Sequence, residues 1–127
     1  MTDPANPELN WLEQYQFAEF TRAGDLVFLS GQVGHDEQGN PPEDPIAQYQ
    51  LAFQSLSRVL RQAGLTPADI VDLTTFHTSY PQHMAEFVAV KAEFQGPARP
   101  AWTAVGVERL GMPGTLVEIK AIASAPR

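Results

Sequence analysis

The chain has 127 residues, and its 15 acidic and 8 basic side chains give a formal net charge of −7 at pH 7. This length fits one domain over residues 1–127, and the 43% hydrophobic content is ordinary for a globular protein. The absence of cysteine excludes a disulfide framework and a thiol nucleophile. No apolar run is long enough to span a bilayer, so we expect no transmembrane helix and no membrane partner.

The acidic composition also bears on partners and location. Nucleic-acid binders carry clustered Lys and Arg because phosphate neutralisation drives their affinity, whereas the basic residues here are scattered along the chain. We therefore expect no nucleic-acid partner. Residues 1–8 are acidic and polar, unlike a signal or transit peptide, so we expect a cytoplasmic location.

The first 33 residues predict an arm followed by a β-hairpin. Residues 1–12 are rich in Pro, Asn and Asp, which indicates a loose N-terminal arm. Residues 17–23 and 26–33 are rich in aromatic and β-branched side chains, so each predicts a strand. Two turn residues, Gly24 and Asp25, separate these runs, which is typical of a hairpin.

A loop and a long helix come next. Residues 35–44 are polar and contain Gly and Pro, which favours a loop, with a short extra strand near 40–43 left open. Asp44 is a good N-cap and Pro45 suits the first helical position. Apolar residues then recur at steps of three and four until Gly64, which suits a left-handed helix stop. The helical face comprises Ile46, Tyr49, Phe53, Leu56, Leu60 and Ala63.

The second half of the chain predicts a short helical turn, three strands and a second helix. Thr66 to Asp69 supplies a cap and an acidic third position for the turn. Strands are expected at 71–78, 101–107 and 116–124, and a helix from Pro81 to the Gly96-Pro97 stop. The order is β-β-α-β-α-β-β, in which two helices cover one face of a mixed sheet in an α+β fold.

The last strand indicates that the other sheet face is also partly covered. Alternate residues of a strand point to opposite faces of the sheet. In this strand one alternate set is entirely apolar, and the other set mixes apolar with charged side chains. That second face is too apolar for open water and too charged for a closed core, so we expect an oligomer interface with a wet cleft. The first set is Val117, Ile119, Ala121 and Ala123, and the second is Leu116, Glu118, Lys120 and Ile122.

Three blocks of sequence, in this order, carry a family resemblance. They are residues 26–33, which contain Ser30-Gly31-Gln32, residues 99–107, and the closing residues 116–123. Together they resemble the Rid family, also called YjgF or the reactive-intermediate deaminases. The resemblance implies a chorismate-mutase-like α+β fold and a homotrimer with a central barrel and clefts between subunits. It also implies small-molecule ligands, with metal-free and cofactor-free hydrolysis of 2-imino acids or their enamine tautomers.

The resemblance also implies site residues. Family deaminases use a glutamate on the last strand to handle water, and Glu118 matches it without gaps. They use an arginine to hold the substrate carboxylate, but the alignment puts Trp102 at that position, with Arg99 three residues earlier. A ligand-contacting tyrosine aligns with Phe17. The chain is therefore similar to a branch that lacks the usual arginine.

Each candidate has a second interpretation. Glu118 is the catalytic candidate, and its alternative is an ion pair with Lys120 or a cross-strand arginine. Arg99 binds the substrate carboxylate or makes a surface ion pair. The remaining substrate-binding candidates contact the ligand in a more aromatic cleft or serve packing: Trp102, Phe17, Ser30, Gly31, Phe76 and His77. The histidines form no metal-ligand spacing with a carboxylate pair, so we expect no metal.

Three functions follow from these residues. The first is a metal-free imine or enamine deaminase with Glu118 handling water. The alternative is a small-molecule-binding member that does not deaminate, favoured by the displaced arginine. An RNA-cleaving role is attached to some family members, but the acidic charge of this chain argues against it.

Overall fold

The computed structural model describes residues 7–125, with side chains from residue 11 onwards. It contains three α-helices, one short 3₁₀ turn at Pro67–Asp69 and five strands in this described part of the chain. In chain order they are α1 (Pro7–Tyr15), β1 (Phe20–Ala23), β2 (Leu26–Gln32), α2 (Pro45–Gln62), β3 (Ile70–His77), α3 (Met84–Gln95), β4 (Ala101–Gly106) and β5 (Val117–Ser124).

The five strands form one mixed sheet in the order β1-β2-β5-β3-β4. β3 and β4 pair in parallel and are joined by α3, as a parallel pair requires a crossover. The other neighbouring strands are antiparallel. The α+β fold predicted from the sequence is confirmed, and so is the hairpin turn, where Gly24 has a φ of 61°.

The pairing of β2 with β5 contains a bulge that shapes one face of the sheet. Leu29 pairs with Ala121, and Gln32 pairs with Ile119. β2 therefore has three steps where β5 has two, so it carries one extra residue over this stretch. That extra residue belongs to the Ser30-Gly31 segment, which lies opposite Lys120.

The caps of α2 explain why this helix was readable from sequence. The Asp44 carboxylate accepts a hydrogen bond from the Ala47 backbone N–H at 3.0 Å, and Pro45 takes the first helical position. Gly64 has a φ of 78°, and the Leu65 N–H donates back to the Leu60 carbonyl at 2.8 Å. α2 and α3 pack against each other, and α2 also packs on β2 and β5.

The core lies between the sheet and these helices. In β5 the four apolar residues of one parity are completely buried, and the alternate residues are half-buried or exposed, as the sequence predicted. The largest fully buried side chains of the core are Phe87, Leu29, Leu56, Leu60, Leu73 and Ile119.

Three local expectations differ from the structure. A loose arm was predicted over residues 1–12, but residues 7–12 form the first part of α1, and residues 1–6 lie outside the described residues. Pro7 suits a first helical turn, so the Pro that suggested an arm instead starts the helix. The second helix begins at Met84 rather than Pro81, because Ser79 and His83 have φ values of 60° and 67° and the chain turns there first. Residues 40–43 form no strand.

Candidate functional site

An open cavity of about 690 Å³ lies on the sheet face that α2 and α3 leave uncovered. Its walls come from α1 and the segment after it, from the bulge of β2, from β3 and β5, and from the loop between β4 and β5. The volume is within the range typical of small-molecule sites, about 300–1,000 Å³. The side chains that carry its chemistry are Glu118, Lys120, Glu19, Phe17, Phe76 and Tyr15.

Glu118 is the lining residue with the clearest potential for acid–base chemistry. It lies on β5, pairs with Phe76 of β3 and is half-buried. Its carboxylate lies against Gly31, so close that a Cβ on residue 31 would overlap it. Burial raises the pKa of Glu118, and the nearby Lys120 partly opposes that rise. A carboxyl group with a raised pKa is suited to both accepting and returning a proton near neutral pH.

The bulge beside Glu118 is held by several hydrogen bonds. The Ser30 backbone N–H donates to the Glu19 carbonyl at 2.8 Å, and the Ser30 hydroxyl donates to the Ala18 carbonyl at 2.7 Å. On the other side, the Gln32 amide donates to the Ser30 carbonyl at 3.1 Å. The Gln32 side chain in turn accepts from the Ser55 hydroxyl on α2 at 2.6 Å. The backbone next to the Glu118 carboxylate is therefore fixed from both directions.

Aromatic side chains form one wall of the cavity. Trp11 and Tyr15 come from α1, Phe17 follows that helix, and Phe76 comes from β3. The Phe17 N–H donates to the Leu12 carbonyl at 3.2 Å, which fixes the chain direction after α1. Tyr15 and Phe17 remain 65% and 42% exposed, so much of their ring surface faces the open cavity and solvent.

Glu19 is a second carboxylate in the cavity wall, but it has a partner. Its side chain is 8% exposed, and its Oε2 lies 3.0 Å from Nη1 of Arg58 on α2. This ion pair ties the start of the hairpin to the helix layer. Glu118 makes no such pair in the described part of the chain.

Arg99 lies outside the cavity. Its guanidinium is exposed, and Nη1 donates to the carbonyls of Gly96 at 2.9 Å and Ala98 at 2.8 Å. The arginine therefore binds its own loop at the end of α3. The structure does not bring it together with Glu118.

Trp102 and His77 lie on the opposite face of the sheet from Glu118. Trp102 pairs with Leu73, which is fully buried against the helices, so the indole shares that face. The indole N–H donates to the Thr75 hydroxyl at 2.9 Å, and the Lys91 ammonium lies 4.5 Å from the ring centroid. The His77 Nε2 is 2.7 Å from the same hydroxyl.

These contacts also define the state of His77. The Thr75 oxygen accepts from the Trp102 indole, so its own hydroxyl proton is available to donate to Nε2 of a neutral imidazole. Burial lowers the pKa of His77 to about 4, and its ring packs edge-on against Phe87 at 4.7 Å. His77 is therefore a neutral residue of the helix-side core in this structure.

The cavity thus combines five of the eight candidates from the sequence, namely Glu118, Phe17, Ser30, Gly31 and Phe76. Sequence reasoning did not assign a ligand-binding role to the other lining side chains that matter here. The sequence does indicate that Lys120 lies near the cavity, because it is two residues from Glu118 on the same strand and must share its face. The rest come from α1, from the buried hairpin start and from the loop before β5: Trp11, Tyr15, Glu19 and Met112.

The described residues offer neither a metal site nor a membrane span. Between residues 7 and 125 no group of three or more His, Asp or Glu side chains is placed to hold a metal ion. Over the same residues, no helix combines the length and apolar character needed to cross a membrane.

Comparisons with known proteins agree with this geometry. The Endoribonuclease L-PSP family matches residues 11–125. The RutC family protein YjgH of Escherichia coli is 44% identical over 114 residues, which cover 89% of this chain and 86% of that one. A solved structure of protein YJGH has a TM-score of 0.81 at 43% identity, covering 91% of this chain and 88% of that one. E. coli TdcF with bound serine has a TM-score of 0.79 at 29% identity, covering 87% and 88%.

These matches extend over nearly all of the described residues, and the solved relatives share the five-stranded sheet and its helices as a YjgF-like fold. The match includes the strand that carries Glu118 and the hairpin that carries Gly31. The chain belongs to the Endoribonuclease L-PSP family, which is the YjgF or Rid family that its sequence resembles.

Proposed function

We propose that this protein hydrolyses small reactive imines or their enamine tautomers, with Glu118 as the residue that handles water. The observation that carries the proposal is the half-buried Glu118 carboxyl, which lies beside Gly31 in the wall of an open cavity. Membership of the family supports the reaction class, and the raised pKa of Glu118 suits the proton transfers.

The proposed reaction needs one water and no outside oxidant. Glu118 accepts a proton from water as the water oxygen bonds to the imine carbon. That proton then passes to the nitrogen, which gives a carbinolamine. Glu118 next takes the hydroxyl proton and returns it to the nitrogen as the carbon–nitrogen bond breaks, so the products are ammonia and a carbonyl compound. The same residue thus serves as base and then as acid, which a pKa nearer to neutral favours. An amino-acid ligand in E. coli TdcF, which has the same fold, supports a substrate derived from an amino acid.

We propose further that the protein is a cytoplasmic homotrimer whose subunits close the cavity between them. Several large apolar side chains remain exposed, and Leu26 and Phe28 lie on the same sheet face as Glu118. Exposed apolar side chains of this size favour burial in an interface. Light scattering coupled to gel filtration tests the assembly: a mass near three chains supports it, and a monomer contradicts it.

The deaminase proposal is tested with imines made in place. An amino-acid oxidase generates the 2-imino acid, and the rate of keto-acid release is compared with and without the protein. We expect acceleration that falls about 100-fold or more in Glu118→Gln. Glu93→Gln, at an exposed carboxylate on α3, is the matched control and should keep full activity. No acceleration by the wild type, or full activity in Glu118→Gln, contradicts the proposal.

The second candidate is a member that binds a small metabolite without deaminating it. Arg99 and Trp102 both lie outside the cavity, which favours this alternative. Thermal stabilisation by a ligand that binds at the Glu118 cavity, together with no imine hydrolysis, would support it. RNA cleavage is not favoured, since two of the three charged side chains in the cavity wall are carboxylates.

A further inference from the structure

We infer that the cavity selects carboxylic acids with an aromatic or other bulky apolar body, and that Lys120, rather than an arginine, binds the carboxylate. The inference rests on the proposed function only for the reaction that follows binding. It names both the charged contact and the class of ligand.

The charge distribution in the cavity wall favours an anionic ligand. Among the described residues that line it, Lys120 is the only cation. Glu19 is neutralised by Arg58 at 3.0 Å, whereas Lys120 is exposed and makes no hydrogen bond or salt bridge within residues 7–125. Lys120 is close enough to Glu118 to influence its pKa. An anionic group entering the cavity therefore meets one available ammonium.

The spacing of Glu118 and Lys120 matches a small substrate head. Glu118 and Lys120 lie two residues apart on β5 and point to the same face, so their backbone positions are about 7 Å apart. In a 2-imino acid the carboxylate is bonded directly to the imine carbon. If the carboxylate binds Lys120, the bonded imine carbon is held near the face of β5 that carries Glu118. The pair thus orients the substrate for the proposed attack.

The aromatic side chains that line the cavity favour a ligand with an apolar body. Four rings line the cavity, from Trp11, Tyr15, Phe17 and Phe76. Such rings favour flat or bulky apolar groups, which gain from stacking and from removal of apolar surface from water. A lysine binds a carboxylate as a point charge and lacks the two-pronged geometry of arginine. Discrimination between acids therefore comes mainly from the apolar body of the ligand.

The test measures binding of stable keto acids by calorimetry, without turnover. Phenylpyruvate should bind at least about tenfold tighter than 2-oxobutyrate, because only its ring reaches the aromatic wall. It should also bind tighter than 2-phenylethanol, which has the ring without the carboxylate. Lys120→Met should weaken phenylpyruvate about tenfold, and Lys120→Arg should retain most of its affinity. The matched Arg99→Met variant should bind phenylpyruvate like the wild type, because Arg99 binds its own loop.

Equal affinities for the two keto acids would overturn the inference, and so would unchanged binding of phenylpyruvate in Lys120→Met or a loss of binding in Arg99→Met. Gel filtration of each variant shows whether it keeps the wild-type assembly. If Lys120→Met loses that assembly, the affinity of Lys120→Arg still shows whether a positive charge at residue 120 is needed.

The two proposals fail separately. Selective binding without imine hydrolysis contradicts only the deaminase proposal, whereas hydrolysis that is indifferent to Lys120 and to ring size contradicts only this inference.

Discussion

The Glu118 carboxylate lies over Gly31, in space that a side chain on residue 31 would fill. An added Cβ would overlap the Oε2, Cδ and Cγ atoms of the glutamate. Gly31 does not have a left-handed φ, so the requirement for glycine is one of space rather than of backbone conformation. The absence of a side chain at residue 31 is therefore what allows the carboxyl to occupy this position in the cavity wall.

The Gly31→Ala variant should lose most of the imine hydrolysis while staying folded. The overlap is with the end of a flexible side chain, so the Glu118 carboxyl moves away, and we expect unfolding to become easier by only about 1 kcal/mol. Steady-state rates and urea denaturation measure the two effects. Adding Glu118→Asp, which shortens the acid by one methylene, should relieve the overlap, so the stability losses should not add. Strictly additive losses, or full activity in Gly31→Ala, would contradict this assignment.

Stability should fall in mild acid because of His77. The folded-state pKa of His77 is lowered to about 4, from an ordinary 6.5, by burial. Between these pH values the unfolded chain takes up a proton that the folded protein does not, so stability is lost as the pH falls from about 6.5 towards 4. The shift limits this loss to about 3 kcal/mol.

The raised pKa of Glu118 acts in the opposite sense, so the comparison must isolate His77. Urea midpoints of the wild type and of His77→Gln, measured from pH 7 to pH 4.5, provide it. We expect a distinctly shallower decline in the variant, which has no imidazole to protonate. The same decline in both proteins would show that His77 does not carry the effect.

Gln48 should stabilise the folded protein strongly by holding the loop before β5. Its side chain is buried, donates to the carbonyls of Pro42 at 3.0 Å and Gly114 at 3.1 Å, and accepts from the Leu116 N–H. Gln48→Leu leaves these three backbone groups without their partner, and we expect a loss of about 2–4 kcal/mol in unfolding free energy. Gln54→Leu, at an exposed position of the same helix, is the control and should change stability little. Equal stability of the two variants in urea would refute the role of Gln48.

Placing an arginine at residue 102 should not create a carboxylate site. The new side chain would project to the helix side, where Trp102 contacts Lys91 and Thr75, and not into the cavity. A second cation beside Lys91 without an acid should cost at least about 2 kcal/mol. We expect Trp102→Arg to lower the melting temperature without increasing affinity for 2-oxobutyrate. Gln54→Arg adds the same charge at an exposed position of α2 and should keep the melting temperature. A gain in affinity in Trp102→Arg would contradict this expectation.

Strand alternation explains how much of the site the sequence could predict. In β5 one parity is entirely apolar, so the face of Glu118 followed directly from the pattern. β3 is different, because it carries apolar or β-branched side chains on both parities, and its pattern alone does not say which face His77 takes. The face on which Trp102 lies follows only from its pairing with Leu73, and that register cannot be deduced from the sequence.

The N-terminal helix was missed for a different reason. Its Pro and Asn resemble loop composition, but Trp11, Leu12 and Tyr15 have the spacing of one helical face. That face lines the cavity in the structure. A helix of nine residues has a weak sequence signal, because most helical stability comes from packing.

One extra residue in β2 underlies the recess at Glu118. Removing a residue between Leu29 and Gln32 would restore a regular ladder with β5 and keep both of these side chains in the core. The regular ladder would also remove the unsubstituted position beside the carboxylate. Replacing Ser30 by another residue should therefore leave the recess at Glu118 intact, whereas deleting one residue should remove it. A β2 strand shortened by one residue should give a well-folded sheet that has no space for the Glu118 carboxylate.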